Sequence, residues 1–193
     1  MIRLSIEKSL RQPVIPVLWD PTKTAASLSQ ASAVFLQGGS LADLQRMLEK
    51  FQHPELAGIS VFAHIDLIAG LENSEAGLEY LADLGRLAGV VTVHHHLTKP
   101  ARRLGLLSVV RLFLSDSRSV ERGVSIASKS QADAIEILPA AAAVKVAADL
   151  NKCGIPRITG GLCRTEADVR EALDSGCRAV TTTRGELWRL NGS

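Results

Sequence analysis

The sequence has few cysteines, few aromatic residues and almost no net charge. Its 193 residues include three cysteines, Cys153, Cys163 and Cys177, and none of them forms a CxxC pair. An odd, unclustered set predicts free thiols in a reducing cytoplasm and no structural zinc site. Aromatic residues make up 4% of the chain, which leaves few platforms for stacking single-stranded nucleic acid. The net charge of +2 does not by itself indicate a nucleic-acid-binding protein.

Long apolar runs are also missing. No uncharged apolar run approaches the ~20 residues that span a bilayer, so we expect no membrane partner. The first residues, MIRLSIEKSLRQP, contain a glutamate and no apolar core, which predicts no signal peptide. At ~150 residues per domain, we predict a single domain over 1–193. The hydrophobic share of 46% and the charged share of 22% fit a globular protein and argue against disorder.

Short apolar, β-branched runs alternate with longer helix-like stretches along the whole chain. This alternation predicts parallel strands joined by right-handed crossovers. About eight units of ~24 residues predict an α/β protein with a TIM-barrel-like (β/α)₈ fold, compact or partly degenerate. An open doubly wound sheet is less favoured because no GxGxxG follows the first strand. The predicted strands are 13–18, 33–36, 59–65, 90–93, 107–113, 134–138, 156–159 and 179–182. The predicted helices are 21–30, 40–51, 74–87, 98–104, 117–129, 141–152, 165–175 and 184–190.

Helix-capping patterns agree with this division. Thr183 is followed three residues later by Glu186, and Thr165 is followed by Asp168, so we predict two capping boxes. Gly154 and Gly176 stand where helix C-terminal caps are expected.

Charged and polar residues interrupt the apolar strands near their ends. His64 and Asp66 are two apart in VFAHIDLIAGL, and Arg111 and Glu136 lie inside apolar runs. A buried charge costs several kcal/mol unless it is paired, so we expect these side chains to converge at the mouth of the barrel. The alternative is a purely structural network in which Arg111 pairs with Glu136.

The last two strands end in a pattern typical of phosphate binding. Barrels often bind phosphate with the loops after strands seven and eight and the start of a short helix. Gly160 and Gly161 let the backbone approach an anion, while Thr181, Thr182 and Thr183 supply hydroxyl groups ahead of a helix N-terminus. The alternative is that the paired glycines form only a tight turn.

Three consecutive histidines follow the fourth strand. His94 and His96, with His64 and Asp66, have ligand types that could hold a metal. Without an HExxH motif, a polar loop that lines the pocket or binds an anion is favoured, and we predict no metal.

Basic residues are densest over 99–122. Lys99, Arg102 and Arg103 share one predicted helix, and Arg118 and Arg122 lie four apart on the next. Such a surface is usually only solvated, but it also suits contact with an RNA backbone.

Several of these segments together resemble one family, the glycerol uptake operon antiterminator regulatory proteins. HIDL, DAIEILP and GGL carry the most specific likeness, which spans nearly the whole chain in order. The matching segments are VFLQGGSLADL, VFAHIDLIAGL, ARRLGLLSVVRLFLSDS, ADAIEILPA, IPRITGGLCRTEADVREALDSG and AVTTTRGELW.

The resemblance implies a TIM-barrel-like protein without catalytic turnover or a bound cofactor. It implies binding of glycerol 3-phosphate and then of leader mRNA, so that a terminator hairpin does not stop transcription in the cytoplasm. The ligand-binding residues that it implies are His64, Asp66, Arg111, Glu136, Gly160, Gly161, Thr181, Thr182 and Thr183.

The chain departs from the family's pattern at the mouth. It has Thr92-Val93-His94-His95-His96 where a Ser-Thr-Lys-Ser-like loop is expected, and Ala140 where glycine is usual. Two alternatives remain. One is a small barrel enzyme acting on a phosphorylated three-carbon substrate, with Asp66, Glu136 or a histidine as acid or base. The other is a metal-dependent hydrolase that uses His64, Asp66, His94 and His96.

Overall fold

Eight parallel strands close into a barrel in which the last strand pairs with the first. The computed structural model describes residues 5–19, 28 and 30–192. The closed ring confirms the predicted TIM-barrel-like fold. The strands are β1 Val14–Leu18, β2 Ala33–Leu36, β3 Ser60–His64, β4 Gly89–Thr92, β5 Leu107–Phe113, β6 Ala134–Leu138, β7 Arg157–Gly160 and β8 Val180–Thr182.

The helices are α1 Ile6–Ser9, α2 Leu41–Lys50, α3 Glu75–Asp83, α4 Thr98–Arg103, α5 Ser117–Lys129, α6 Ala140–Lys145, α7 Ala147–Leu150, α8 Glu166–Asp174 and α9 Gly185–Trp188. Helices α2 to α8 follow β2 to β7 around the barrel, α1 precedes β1, and α9 follows β8. The helix predicted over 21–30 lies almost wholly outside the described residues. None of the helices in the described part of the chain is both long and apolar enough to cross a membrane.

The predicted helix over 141–152 is divided into short pieces. Val146, with φ −107° and ψ 22°, interrupts the helical backbone between α6 and α7. The Arg157 guanidinium donates at 3.3 Å to the carbonyl of Ala147, the first residue of α7, and so ties this second piece to β7. A 3₁₀ turn then ends at Gly154, whose φ of 65° confirms the predicted glycine cap.

Alternation along the strands separates two apolar layers. Inward side chains such as Ile15, Phe35, Phe62 and Val109 fill the barrel. Their neighbours face the surrounding helices, where α2, α3 and α8 add Leu44, Leu78 and Val169 among others. Period-two alternation in strands buried on both sides explains why the runs read as continuously apolar.

One of the two predicted capping boxes is present. Thr165 caps α8 and exchanges hydrogen bonds with Asp168. The prediction at Thr183 was wrong, because α9 takes Arg184 as its N-cap and has no side-chain cap hydrogen bond. This last helix is a single turn, and its contribution to any anion site is correspondingly small.

Candidate functional site

The barrel interior changes from apolar to polar towards the carboxyl ends of the strands. On β3 the inward position after Phe62 is His64, and on β6 the one after Ala134 is Glu136. The same change occurs on β2, β5 and β8, which gives a buried polar ring of Gln37, His64, Arg111, Glu136 and Thr181. The polar ring lies at the face where TIM barrels carry their sites.

Glu136 is the centre of this polar ring. It is fully buried, and its Oε2 accepts a hydrogen bond from Arg111 Nε at 2.7 Å. Its other oxygen, Oε1, accepts from the Thr181 hydroxyl at 2.6 Å. The expected pairing of Arg111 with Glu136 is therefore present, and it fixes both charges where they would otherwise be costly.

A cavity of about 370 Å³ opens above this network. Its volume is in the range of small-molecule sites, roughly 300–1,000 Å³. Most of the predicted ligand residues line it: Arg111, Glu136, Gly161, Thr181, Thr182 and Thr183. Gly160 is not among the lining residues. It is buried beside Thr181, where a Cβ would come within 2.0 Å of the threonine Oγ1.

Sequence reasoning missed two arginines of the cavity. Arg164 and Arg184 line it beside the glycine and threonine loops, and both are exposed. Arg184 pairs with Glu186 at 2.9 Å. Both arginines directly follow a loop whose sequence is typical of phosphate binding, and this position is the signal that could have identified them.

The loop after β7 has an unusual backbone. Gly161 has φ 72°, and Leu162 has φ 63° although it is not glycine. For an L-residue this left-handed region costs about 1–2 kcal/mol. Leu162 nevertheless leaves its side chain 68% exposed at the cavity rim. The next residue, Cys163, is buried, and burial raises the pKa of its thiol to about 11, so the thiol is protonated at neutral pH.

Two hydrogen bonds to Thr182 fix the loop after β8. The Thr182 hydroxyl accepts the Arg184 backbone N–H at 3.1 Å, and the Thr182 carbonyl accepts Trp188 Nε1–H at 3.0 Å. Arginines, hydroxyl groups and the backbone, rather than a helix dipole, are therefore the groups that this corner offers to an anion.

His64 and Asp66 do not line the cavity and instead form a second cluster beside it. Asp66 accepts hydrogen bonds from the Thr92 hydroxyl and the Val93 N–H, both at 2.8 Å. His64 Nδ1 lies 3.4 Å from Asp66 Oδ2, and His94 Nε2 lies 3.7 Å from Asp66 Oδ1.

The imidazole of His64 is neutral. Burial lowers its pKa to about 3, with the positive charge of Arg111 adding to the effect. Both of its nitrogens are buried without a hydrogen-bond partner. Within the described residues, no group of three His, Cys, Asp or Glu side chains is arranged to hold a metal ion.

The predicted RNA-binding residues are on the outer helices α4 and α5. Lys99, Arg102, Arg103, Arg118 and Arg122 are all exposed, and together we call them the basic surface. Arg103 is also ion-paired with Glu75 of α3. Both helices start just beyond the carboxyl ends of their preceding strands, so the basic surface begins beside the barrel mouth.

Large apolar side chains are exposed around the same mouth, which the sequence analysis did not anticipate. The exposed ones in the described residues are Trp19, Leu67, Val93, Phe113 and Leu162. Each lies at or just beyond the carboxyl end of a strand. The period-two continuation of strands beyond their last inward residues, as from Arg111 to Phe113, is the signal in the sequence that points to this arrangement.

Proteins of known structure share this architecture at recognisable sequence identity. A glycerol uptake operon antiterminator-related protein from Thermotoga maritima is 29% identical, with a TM-score of 0.81 over 92% of this chain and 98% of that one. A glycerol uptake operon antiterminator regulatory protein from Listeria monocytogenes is 27% identical, with a TM-score of 0.79 over 92% and 95%. Aldolases and a sugar-phosphate epimerase, at 12–14% identity, share only the fold.

A curated relative and a family match extend over the same region. The Escherichia coli protein YgcP, described as uncharacterized, is 30% identical over 183 residues, 94% of each chain. The sequence pattern of the family described as "Glycerol-3-phosphate responsive antiterminator" matches residues 14–188, from the first strand to the last helix. The chain therefore belongs to the glycerol-3-phosphate responsive antiterminator family.

Proposed function

We propose that this protein senses glycerol 3-phosphate and, when it is bound, binds a leader mRNA so that a terminator does not stop transcription. The observation that carries the proposal is the cavity, which combines cationic, hydroxyl and carboxylate groups in one small volume. Family membership supports the identity of the effector, and the related proteins from Thermotoga and Listeria carry antiterminator names.

The chemistry of the cavity fits the two ends of glycerol 3-phosphate. A phosphate dianion would be met by Arg164, Arg184 and the hydroxyl groups of Thr182 and Thr183. The glycerol hydroxyl groups can donate to Glu136, whose ionised carboxylate accepts only. These residues would bind and orient the effector without any bond being made or broken.

Coupling to RNA requires that the effector bind one state of the protein more tightly than the other. The effector would then favour the state that is competent to bind RNA. A regulator of this kind acts in the cytoplasm, and glycerol uptake and metabolism genes are the expected targets from the family name.

Effector binding can be tested by calorimetry with two matched arginine variants. Arg164→Gln and Arg170→Gln each remove one exposed positive charge, but only Arg164 lines the cavity. A charged hydrogen bond is worth ~1.5–3 kcal/mol, so Arg164→Gln should weaken glycerol 3-phosphate binding about 10- to 100-fold. Arg170→Gln should bind as the wild type does.

RNA binding is tested separately by retention of cellular transcripts on the immobilised protein. Retention that rises with glycerol 3-phosphate supports the proposal. Absence of retention with and without the effector contradicts it. Turnover of glycerol 3-phosphate by the purified protein would instead identify a barrel enzyme.

A further inference from the structure

The barrel mouth has two layers of opposite chemistry. The polar ring is the deeper layer. Closer to the carboxyl ends of the strands, the next inward-facing positions carry apolar side chains. Phe113 follows Arg111 on β5, and Leu138 follows Glu136 on β6. Trp19 continues the row of Val17, just beyond β1. We call Trp19, Val93, Phe113, Leu138 and Leu162 the apolar collar.

A small polar effector does not account for this apolar collar. Trp19, Phe113 and Leu162 are 54%, 62% and 68% exposed. Glycerol 3-phosphate would satisfy the polar ring and the loops below, but it offers no apolar surface to the side chains above them. Large apolar side chains exposed together at one end of a barrel, with polar groups around them, favour a site of interaction.

Both exposed aromatic side chains of the described residues lie at this mouth. All seven aromatic residues lie in the described part of the chain. Phe35, Phe51, Phe62 and Trp188 are buried and Tyr80 is partly buried. The two exposed ones, Trp19 and Phe113, stand on β1 and β5, which are opposite each other in the ring of eight strands.

The ring of Trp19 is supported from one side. A Cβ on Gly38 would come within 2.8 Å of Trp19 Cε3, so the glycine leaves room for the indole to lie against the backbone. About half of the surface of Trp19 is exposed, and an exposed aromatic ring is a platform on which a nucleobase can stack.

The charges beside the apolar collar favour a polyanion. Arg164 and Arg184 line the cavity beneath it, and the basic surface begins on the β4 and β5 side, next to Val93 and Phe113. Of the nearby carboxylates, Glu136 is paired with Arg111, and Asp66 is hydrogen-bonded and largely buried. The exposed carboxylates are Asp116, which caps the N-terminus of α5, and Glu186, which is paired with Arg184.

We propose that the apolar collar binds unpaired RNA bases directly above the effector, with the RNA backbone crossing the basic surface. This inference rests on the proposed function and names the site of its RNA partner. The effector and the bases would share one contact surface, so binding of either one favours the other. It also gives base stacking a larger role than the low aromatic content of the sequence suggests.

The first test uses tryptophan fluorescence. The only other tryptophan, Trp188, is 4% exposed, so quenching by added RNA reports on Trp19. The probes are a twelve-nucleotide oligoadenylate and the same strand in a duplex, each with and without saturating glycerol 3-phosphate. We expect quenching by the single strand, stronger with the effector, and little by the duplex. No quenching by the single strand overturns the proposal.

The second test compares affinities of aromatic variants. Stacking contributes ~1–3 kcal/mol per base, so Phe113→Leu and Trp19→Leu should each weaken oligoadenylate binding at least about fivefold. Tyr80→Leu, on the outer helix α3, is the matched control and should leave affinity unchanged. Calorimetry should find glycerol 3-phosphate binding preserved in all three variants.

The outcomes separate this inference from the proposed function. If transcript retention still rises with glycerol 3-phosphate in both collar variants, RNA binds elsewhere and only the mouth assignment fails. If the wild type retains no transcripts, the proposed function fails as well. Dimers in sedimentation that Phe113→Leu disrupts would show that a second copy of the chain covers the mouth, which also overturns the inference.

Discussion

Arg111 and Glu136 occupy paired positions on neighbouring strands, and their side chains meet at 2.7 Å inside the barrel. The arginine is 8% exposed and the glutamate fully buried. Neither charge has another charge of opposite sign within ion-pair distance among the described residues. The free-energy cost of burying each of these charges is therefore offset only when the other is present.

A double-mutant cycle tests this dependence. Arg111→Met and Glu136→Gln should each lower the free energy of unfolding by about 3–5 kcal/mol, because each leaves a buried partner unpaired. The double variant should lose much less than the sum of the two. Denaturant unfolding measures all four proteins, and simple additivity would contradict the pairing.

Gly160 and Thr181 form a second close relationship. Alanine at 160 would put its Cβ 2.0 Å from Thr181 Oγ1, displacing the hydroxyl that donates to Glu136. Overpacking of this kind costs about 1–3 kcal/mol, and we expect Gly160→Ala to lower the melting temperature and weaken effector binding. Gly185→Ala is the control, because no atom lies within 4 Å of the added Cβ. Equal stability of the two variants would contradict the prediction.

Gly161 tests the anion site itself. Gly161→Asp should abolish glycerol 3-phosphate binding, because its carboxylate would stand among the groups that meet the phosphate. Any side chain at this φ of 72° is strained, so Gly161→Ala is the matched control for the backbone effect. Calorimetry should find that Gly161→Ala binds glycerol 3-phosphate more weakly than the wild type and that Gly161→Asp does not bind it. Wild-type affinity in Gly161→Asp would mean that the phosphate binds elsewhere.

His64 makes stability depend on pH. Its folded pKa of about 3 is below the ordinary value of 6.5, so between these values the unfolded chain binds a proton that the folded protein does not. Unfolding free energy should therefore fall as pH falls through this window, by up to ~1.4 kcal/mol per pH unit. His64→Leu should remove this contribution, leaving the slope due to the carboxylates. If the unfolding free energies of the wild type and His64→Leu change with pH in parallel, His64 is not the source of this pH dependence.

The strands could be predicted closely because they are buried runs of β-branched and aliphatic residues bounded by polar ones. The predictions for 33–36, 107–113 and 134–138 agree with the observed bounds. The fold follows from their alternation with helices. The N-cap of α9 was misplaced by one residue, and the hydroxyl that accepts a backbone N–H there is that of Thr182, bonded to Arg184, rather than that of Thr183.

The site was harder to predict than the fold. A strand's inward residues follow from alternation, but the register that sets Arg111 beside Glu136 depends on how neighbouring strands pair. Contact between Thr181 and Glu136 also needs β6, β7 and β8 to pair in order and curve inward, since the two residues lie on strands separated by β7. The apolar collar was missed because apolar residues at strand ends look like a continuation of the core. The alternation pattern predicts which way a side chain points, but it does not predict whether that side chain is exposed.

The last prediction concerns the basic surface. Replacing Arg102 and Arg103 by glutamate should weaken binding of the transcripts that the wild type retains, and it should flatten the dependence of affinity on salt. Each lost phosphate contact lowers the slope of log affinity against log salt by ~0.7 for single strands. Glycerol 3-phosphate binding should persist, because the cavity is lined by other residues.

The control for this experiment reverses two charges away from the mouth. Lys152 and Arg170 are exposed, and each forms an ion pair with a nearby carboxylate, Asp149 and Glu166 respectively. They match the test variant in this respect, because Arg103 is ion-paired with Glu75. A Lys152→Glu, Arg170→Glu protein therefore has the same net charge as the test variant, and it should retain RNA with an unchanged salt slope. Melting temperatures check that Glu75 beside the new glutamate at 103 does not unfold the protein. If both double variants lose affinity equally, net charge rather than the basic surface governs RNA binding. If the Arg102→Glu, Arg103→Glu protein keeps the wild-type slope, the RNA backbone does not cross α4.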